Sequence, residues 1–373
     1  MESFIHHRKG RTPRQVHRDV ADLKDDELGR YGFTGRTAHL YRRNDPTQFR
    51  AVGTHTGVDR IVTDLTPTDR SDPGGEPLVM FSNDDCRISL SRRAEAAPFW
   101  FRPVDGDELL FVHEGTGYFE TEFGRLPYRP GDYVYIPKGC TYRQVPDGPS
   151  LLLIIEAVDE FRVPEAGVLG RFFPFDSSLV VVPEAEAFDA DGRDEYEVRF
   201  RQREGQTSLF YAFHPLDVEG WRGDNFAFTF NIEDYDVITS ETVHLPPTVH
   251  LFMQATGVYV MNFLPRPAEG RKGAERLPWY HRNTDFDEIA FFHGGSMFGV
   301  SMPPGLISHA PQGMHHGIPE RARERSRRKF DDFDRVEWKV ISIDTRRRLI
   351  PSEAMVEASG SGAASQISDE ARA

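Results

Sequence analysis

Two stretches of this chain repeat one another, and the repetition limits the folds open to it. Phe101 to Gly115 aligns without a gap on His281 to Gly295. Arg102, Asp105, Asp107, Glu108, Phe111, His113 and Gly115 recur as Arg282, Asp285, Asp287, Glu288, Phe291, His293 and Gly295, seven identities in fifteen positions. A second motif follows each copy: Gly131-x5-Pro137-x-Gly139-x2-Tyr142, then Gly305-x5-Pro311-x-Gly313-x2-His316. Self-similarity over so long a period marks a duplicated unit. The fold is therefore expected to contain two like halves.

The texture around both copies is that of β-strands. Apolar runs of strand length cover Leu78 to Phe81, Cys86 to Leu90, Glu108 to His113, Gly117 to Thr121, Asp132 to Ile136 and Leu151 to Ile155. They resume at Val198 to Phe200, Ser208 to Phe213, Phe226 to Phe230, Val258 to Phe263, Ile289 to Phe292 and Trp338 to Ile343. Turn residues separate them at short intervals, and 32 Gly with 26 Pro fit many turns better than long helices. An all-β chain of two barrels is predicted. The expected divisions are residues 1–195 (an N-terminal extension and the first barrel), 196–350 (the second barrel) and 351–373 (a disordered tail around Ser-Gly-Ser-Gly). Asp22 to Leu28 is predicted as a short helix. The mixed charges of Glu320 to Lys329 suggest a solvated helix or loop.

Composition narrows the function. A formal net charge of −14 disfavours nucleic acid and anionic membranes as partners, since both demand a basic face. The longest apolar run, Leu151 to Ile155, is far too short to span a bilayer, and the first residues lack a signal-peptide core. Cys86 and Cys140 are the only two cysteines and stand in no metal-like spacing, which suits a reducing cytoplasm.

The two copies differ where chemistry would need them to. The second holds His281, Glu288 and His316, all capable of ligating a metal. The first has Phe101 and Tyr142 at the histidine positions and keeps only Glu108. Two imidazoles and a carboxylate with open positions suit Fe(II), although Mn, Ni or Zn accept the same donors. The first copy is therefore expected to be a metal-free barrel and the second a metal site. Arg282 recurs as Arg102 in the metal-free copy, so a structural ion pair with Asp285 or Asp287 is expected of it.

These motifs resemble those of the cupin superfamily, and the duplication makes the chain look like a bicupin. A narrower resemblance rests on His6-His7-Arg8-Lys9-Gly10, Glu120 to Arg125, His214 to Gly223 and Tyr280-His281-Arg282-Asn283. Together they resemble the homogentisate 1,2-dioxygenase family. That resemblance implies an Fe(II) enzyme that opens the ring of homogentisate with O2 to give maleylacetoacetate, in tyrosine and phenylalanine catabolism. It also implies a homo-oligomer, a trimer or hexamer.

Carried over by position, the resemblance puts the metal ligands at His281, Glu288 and His316. It puts a histidine that handles the substrate hydroxyl at His244, and a further histidine beside the site at His309. A histidine titrates near neutrality, so it can take a phenolic proton and return it. His250 and His315 are rivals in the same segments. Gly295-Ser296-Met297-Phe298 stands where the family places substrate-contacting tyrosines. Cupins acting on gentisate or a hydroxyanthranilate-type aromatic, and cupins that bind metal without oxidative chemistry, share the ligand set.

Overall fold

Strands buried on both faces build the centre of this protein, and their alternation shows how. In strand Asp107–Glu114, Leu109 and Phe111 join one apolar cluster while Leu110 and Val112 join another. Strand Leu151–Ala157 divides likewise: Leu151, Leu153 and Ile155 face one way, Leu152 and Ile154 the other. Successive side chains leave a strand on opposite faces, so an unbroken apolar run needs cover on both. One cluster fills the interior of the first barrel. The other lies between the barrels and takes Ile289, Phe291, Ile341 and Ile343 from the second.

The computed structural model describes residues 7–13, 22–32, 35–167, 175–186, 188, 191–239, 251–268, 279–297 and 299–357. Among these, β-structure dominates and two short α-helices occur, Glu320–Arg328 and Glu353–Glu357. A seven-stranded sheet runs in the order Phe228–Asn231, Asp132–Ile136, Asp107–Glu114, Leu151–Ala157, Cys86–Ser91, Leu78–Ser82, Ile350–Pro351. A six-stranded sheet faces it: Ser208–Tyr211, Tyr196–Arg201, Trp100–Pro103, Tyr142–Pro146, Gly117–Thr121, Gly124–Tyr128. The second half has its own six-stranded sheet: Leu251–Ala255, Val258–Phe263, Lys339–Thr345, Asp287–Gly294, Leu306–Ala310, Val58–Ile61. A three-stranded sheet (Tyr280–Asn283, Lys24–Gly29, Thr37–Arg42) and a small four-stranded one complete it. This is the expected all-β architecture of two like halves.

The halves exchange strands, which corrects the division at 195. Tyr196–Arg201 lies parallel to Trp100–Pro103, and Phe228–Asn231 lies antiparallel to Asp132–Ile136, so residues 196–231 complete the first barrel. In return Val58–Ile61 pairs with Leu306–Ala310 in the second. Residues 351–357 do not belong to the expected tail either. Ile350 and Pro351 pair with Ser82 and Phe81, Glu353–Glu357 is helical, and Met355 is buried. Residues 358–373 lie outside the described residues.

Asp22 to Leu28 is not a helix. Lys24–Gly29 is a strand held on both sides, parallel to Tyr280–Asn283 and antiparallel to Thr37–Arg42. Two ladders of backbone hydrogen bonds outweigh a weak local preference. The motif glycines serve the turns: Gly139 and Gly313 both take a left-handed φ, +88° and +79°, which glycine adopts without steric cost. Glu320–Arg328 forms the expected helix, with a glutamate in its first turn and three arginines in its last, each suited to the helix dipole.

Candidate metal centre

The backbone brings His281 and His316 together before any side chain acts. Each donates its N–H to the other's carbonyl, at 3.0 and 2.9 Å, an isolated antiparallel bridge. The two imidazoles therefore leave one face of the sheet, ring centroids 3.9 Å apart. Glu288 reaches the pair from the opposing strand Asp287–Gly294. Its Oε2 lies 3.7 Å from His281 Nε2 and 3.5 Å from His316 Nε2. The first barrel repeats the framework without the donors: Phe101 and Tyr142 are the matching cross-strand pair.

The imidazoles are aimed by their other nitrogens. His281 Nδ1–H points to the Trp279 carbonyl at 3.2 Å, and His316 Nδ1–H to that of Met314 at 3.2 Å. With these tautomers both Nε2 lone pairs face Glu288, the orientation a metal requires. Glu288 Oε2 and His316 Nε2 are buried and make no hydrogen bond among the described residues. Burying such atoms without a partner costs about 1–3 kcal/mol each, more when charged, so the cluster fits a cation. The donor atoms lie within 4.8 Å of one another. Bonds of about 2.1 Å would set neighbouring donors about 3 Å apart, which small side-chain shifts achieve.

Electrostatics in the absence of an ion point the same way. Burial would raise the Glu288 carboxyl, but the neighbouring His281 and His316 imidazoles hold it well below the usual range. Burial would lower His281, and Glu288 outweighs it, leaving the imidazole above its ordinary value. A second acid, Asp344, stands directly across from Glu288 on the neighbouring strand. Its burial, reinforced by the charge of Glu288, pushes it well above the carboxylate range. Asp344 is thus biased toward its protonated form.

The first barrel answers the same demand with a guanidinium. Arg201 donates from Nε to Glu108 Oε1 at 2.6 Å, and the Tyr142 hydroxyl donates to Oε2 at 2.6 Å. Glu156, opposite Glu108 as Asp344 is opposite Glu288, is held by Arg87 at 2.5 Å and Arg203 at 3.3 Å. The expectation of a metal-free copy thus acquires a physical reason. Arg201 and the phenol occupy both carboxylate oxygens.

His309 does not join the cluster. It pairs with Ile289, whereas Ala310 pairs with Glu288, so alternation turns His309 to the opposite face. There its Nε2 lies 2.9 Å from Asp287 Oδ2 and its ring packs on Phe81. Asp287 also accepts from the backbone N–H of Gln312 and Leu349. In the first copy Asp107 accepts from the Tyr135 hydroxyl and from the N–H of Lys138 and Phe161, the same bracket with a phenol in place of the imidazole. His309 belongs to the scaffold.

His244 and its rival His250 fall among residues 240–250, outside the described residues. His315 turns away from His316 to contact Asp26 and Arg282. Arg282 pairs not with Asp285 or Asp287 but with the fully buried Asp26 of the N-terminal hairpin, at 2.9 Å. Asp285 instead binds Arg30 and Arg346. Sequence reasoning also missed Asp344 and the hairpin residues beside His281. The repeat carries one signal for Asp344: Arg87, which steadies Glu156, has Tyr259 at the equivalent register position.

Comparisons with known proteins agree with this geometry. The family model described as homogentisate 1,2-dioxygenase, N-terminal, matches residues 92–232. That match covers less than half of the chain, which is similar to the homogentisate dioxygenase family over its first barrel. A provisionally named dioxygenase of Saccharolobus solfataricus is 27% identical over 367 residues, covering 92% of this chain and 94% of that protein. Homogentisate 1,2-dioxygenase of Emericella nidulans is 28% identical over 227 residues, 58% of this chain but 51% of that enzyme, so the match spans about half of its length. Among solved structures, a cupin 2 conserved barrel domain protein from Leptotrichia buccalis aligns over 77% of this chain and 95% of its own, at 12% identity and a TM-score of 0.36. A likeness that slight carries no argument about function.

Proposed function

We propose that this protein is an Fe(II)-dependent ring-cleaving dioxygenase whose substrate is homogentisate, opened with O2 to maleylacetoacetate. The observation that carries the reading is the cluster His281, Glu288 and His316, with two aimed imidazoles and one carboxylate. A bound Fe(II) would supply a Lewis acid with open positions for an aromatic hydroxyl and for O2. The chain's own part is preparation. Glu288 stays ionised, so the donor set carries a single negative charge. The Trp279 and Met314 carbonyls keep each imidazole in one tautomer. Burial of Asp344 beside Glu288 disfavours a second negative charge there.

Similarity to the homogentisate dioxygenase family model and to named dioxygenases supports the oxygenase chemistry, and the resemblance at Tyr280 to Asn283 supports the substrate. The working form is proposed to be a cytoplasmic homo-oligomer, a trimer or hexamer, which light scattering of the purified protein tests. Two free, buried cysteines suit a reducing compartment, and among the described residues no helix is long and apolar enough to cross a membrane.

Oxygen uptake by anaerobically Fe(II)-loaded protein tests the activity, with homogentisate, gentisate and 3-hydroxyanthranilate supplied in turn. Uptake with homogentisate and an ultraviolet-absorbing ring-opened product is expected. Uptake with gentisate alone would overturn the substrate, and no uptake with any would overturn the dioxygenase.

A further inference from the structure

The sheet that carries His281 does not end at the metal cluster. Glu27 is the parallel-strand partner of His281, and His39 is the antiparallel partner of Glu27. Residues paired directly across neighbouring strands project from the same face. His316, His281, Glu27 and His39 therefore form one row across four backbone segments, all on the face that Glu288 approaches. Their side chains are alike in being mostly but not wholly covered: 25%, 16%, 12% and 12% exposed.

Glu27 is fixed within this row. His39 Nε2 lies 3.6 Å from Glu27 Oε2, and His39 Nδ1 lies 2.8 Å from Asp25 Oδ1. The His39 ring also tilts against Trp279, centroids 6.3 Å apart, and Trp279 is the residue whose carbonyl aims His281. Burial would lower the imidazole, but the Asp25 hydrogen bond and the charges of Asp25 and Glu27 outweigh it. His39 thus favours the cationic form. Beside the metal ligands lies an ordered carboxylate, and behind that an imidazole held between Glu27 and Asp25.

We propose that Glu27 is a positioning residue that sets the affinity of the centre for a divalent cation, and that His39, anchored by Asp25, holds and tempers its charge. The inference rests on the metal-site reading above. It makes the N-terminal hairpin, Lys24–Gly29 with Thr37–Arg42, part of the centre although more than two hundred residues separate it from His281. Under water-like screening, a unit charge one strand spacing beyond a ligand changes divalent-ion affinity by about tenfold. His39 is one strand further out and opposite in sign, so about threefold is expected of it.

The test is titration of the metal-free full chain with Co(II), read by calorimetry and by the visible absorption of the bound ion, at neutral pH. Glu27→Gln is expected to weaken binding about tenfold, and Glu27→Asp, which keeps the charge, to restore most of the loss. His39→Gln is expected to tighten binding about threefold. Opposite signs separate the proposal from a packing role, because general damage would weaken binding in both variants. Weaker or unchanged binding in His39→Gln, or unchanged binding in Glu27→Gln, overturns the proposal. If His281→Ala then still abolishes binding, the centre itself stands. Absence of Co(II) binding by the unsubstituted chain overturns both.

Discussion

Replacing Arg201 by Leu would leave Glu108 as a carboxylate that the first barrel cannot hydrate. Glu108 is completely buried and the Arg201 side chain is 8% exposed, and the pair meets at 2.6 Å. Removing one partner of such a pair typically costs about 3–5 kcal/mol, because the other charge stays behind. The Tyr142 hydroxyl keeps its bond to the other carboxylate oxygen, which holds the loss to the lower end of that range. The net loss expected for Arg201→Leu is therefore about 3 kcal/mol, a large share of a typical domain stability of about 5–15 kcal/mol. The fall in Tm should be on the order of 10 °C. Thermal and urea unfolding of metal-free protein, followed by near-ultraviolet circular dichroism, measures it. The paired variant Arg201→Leu with Glu108→Gln supplies the control, since it removes both charges and should recover about 2 kcal/mol. A loss below about 1 kcal/mol, or a double variant no more stable than Arg201→Leu, would refute the claim that a guanidinium does here what a metal does in the second barrel.

Three further outcomes are expected. His281→Ala should abolish Co(II) and Fe(II) binding while Phe101→Ala leaves both intact at a stability cost of about 3–5 kcal/mol, since Phe101 is a core residue of the first barrel; equal loss of metal in both, by metal analysis, contradicts a single centre. His309→Asn should lower stability by about 1–3 kcal/mol through its lost bond to Asp287 yet keep metal content and oxygen uptake; full metal occupancy with lost turnover would return His309 to the chemistry. A pH effect belongs to His113 and His293, the duplicated pair that meets where the barrels touch, Nδ1 to Nδ1 at 2.8 Å, one donating and one accepting. Burial, joined by the charge of His113, takes His293 down to about 4, and burial lowers His113. The unfolded chain then binds protons that the folded chain refuses, so stability is intact above about pH 6.5 and falls as pH drops toward 4, by at most about 3 kcal/mol from His293. His293→Gln should flatten that slope in urea unfolding between pH 7 and 4.5, and an unchanged slope refutes the assignment.

Period-two alternation made the central strands legible, and the degenerate copy pointed to the cluster of His281, Glu288 and His316, because Phe101 and Tyr142 stand at the histidine positions in the first barrel. What escaped was pairing between distant segments. Lys24–Gly29 carries three consecutive acids and little apolar alternation, so nothing local announces a strand. Its stability comes from two neighbours, one of them some 250 positions away. The exchange of Tyr196–Arg201 and Phe228–Asn231 into the first barrel is hidden for the same reason. A linear boundary follows composition, while strand partners follow geometry.

His309 shows the limit most sharply, and the repeat also supplies its remedy. Adjacent residues on a strand face opposite ways, so Asp287 and Glu288 could never serve the same side, and whatever binds Asp287 lies away from the metal. The matching position in the first barrel is Tyr135, whose hydroxyl reaches Asp107. A histidine replaced by a working phenol in the copy without the two ligand histidines has its role defined by the carboxylate it binds. For Glu108 and Glu288 the two copies point the other way. Both carboxylates are kept, both face inward, and each needs a cation; one barrel supplies it from Arg201, and the other has two aimed imidazoles and an orphaned oxygen at the same place. Duplication thus separates what the barrel demands, a buried carboxylate with a positive partner, from what the centre adds, a partner that can be exchanged with solution.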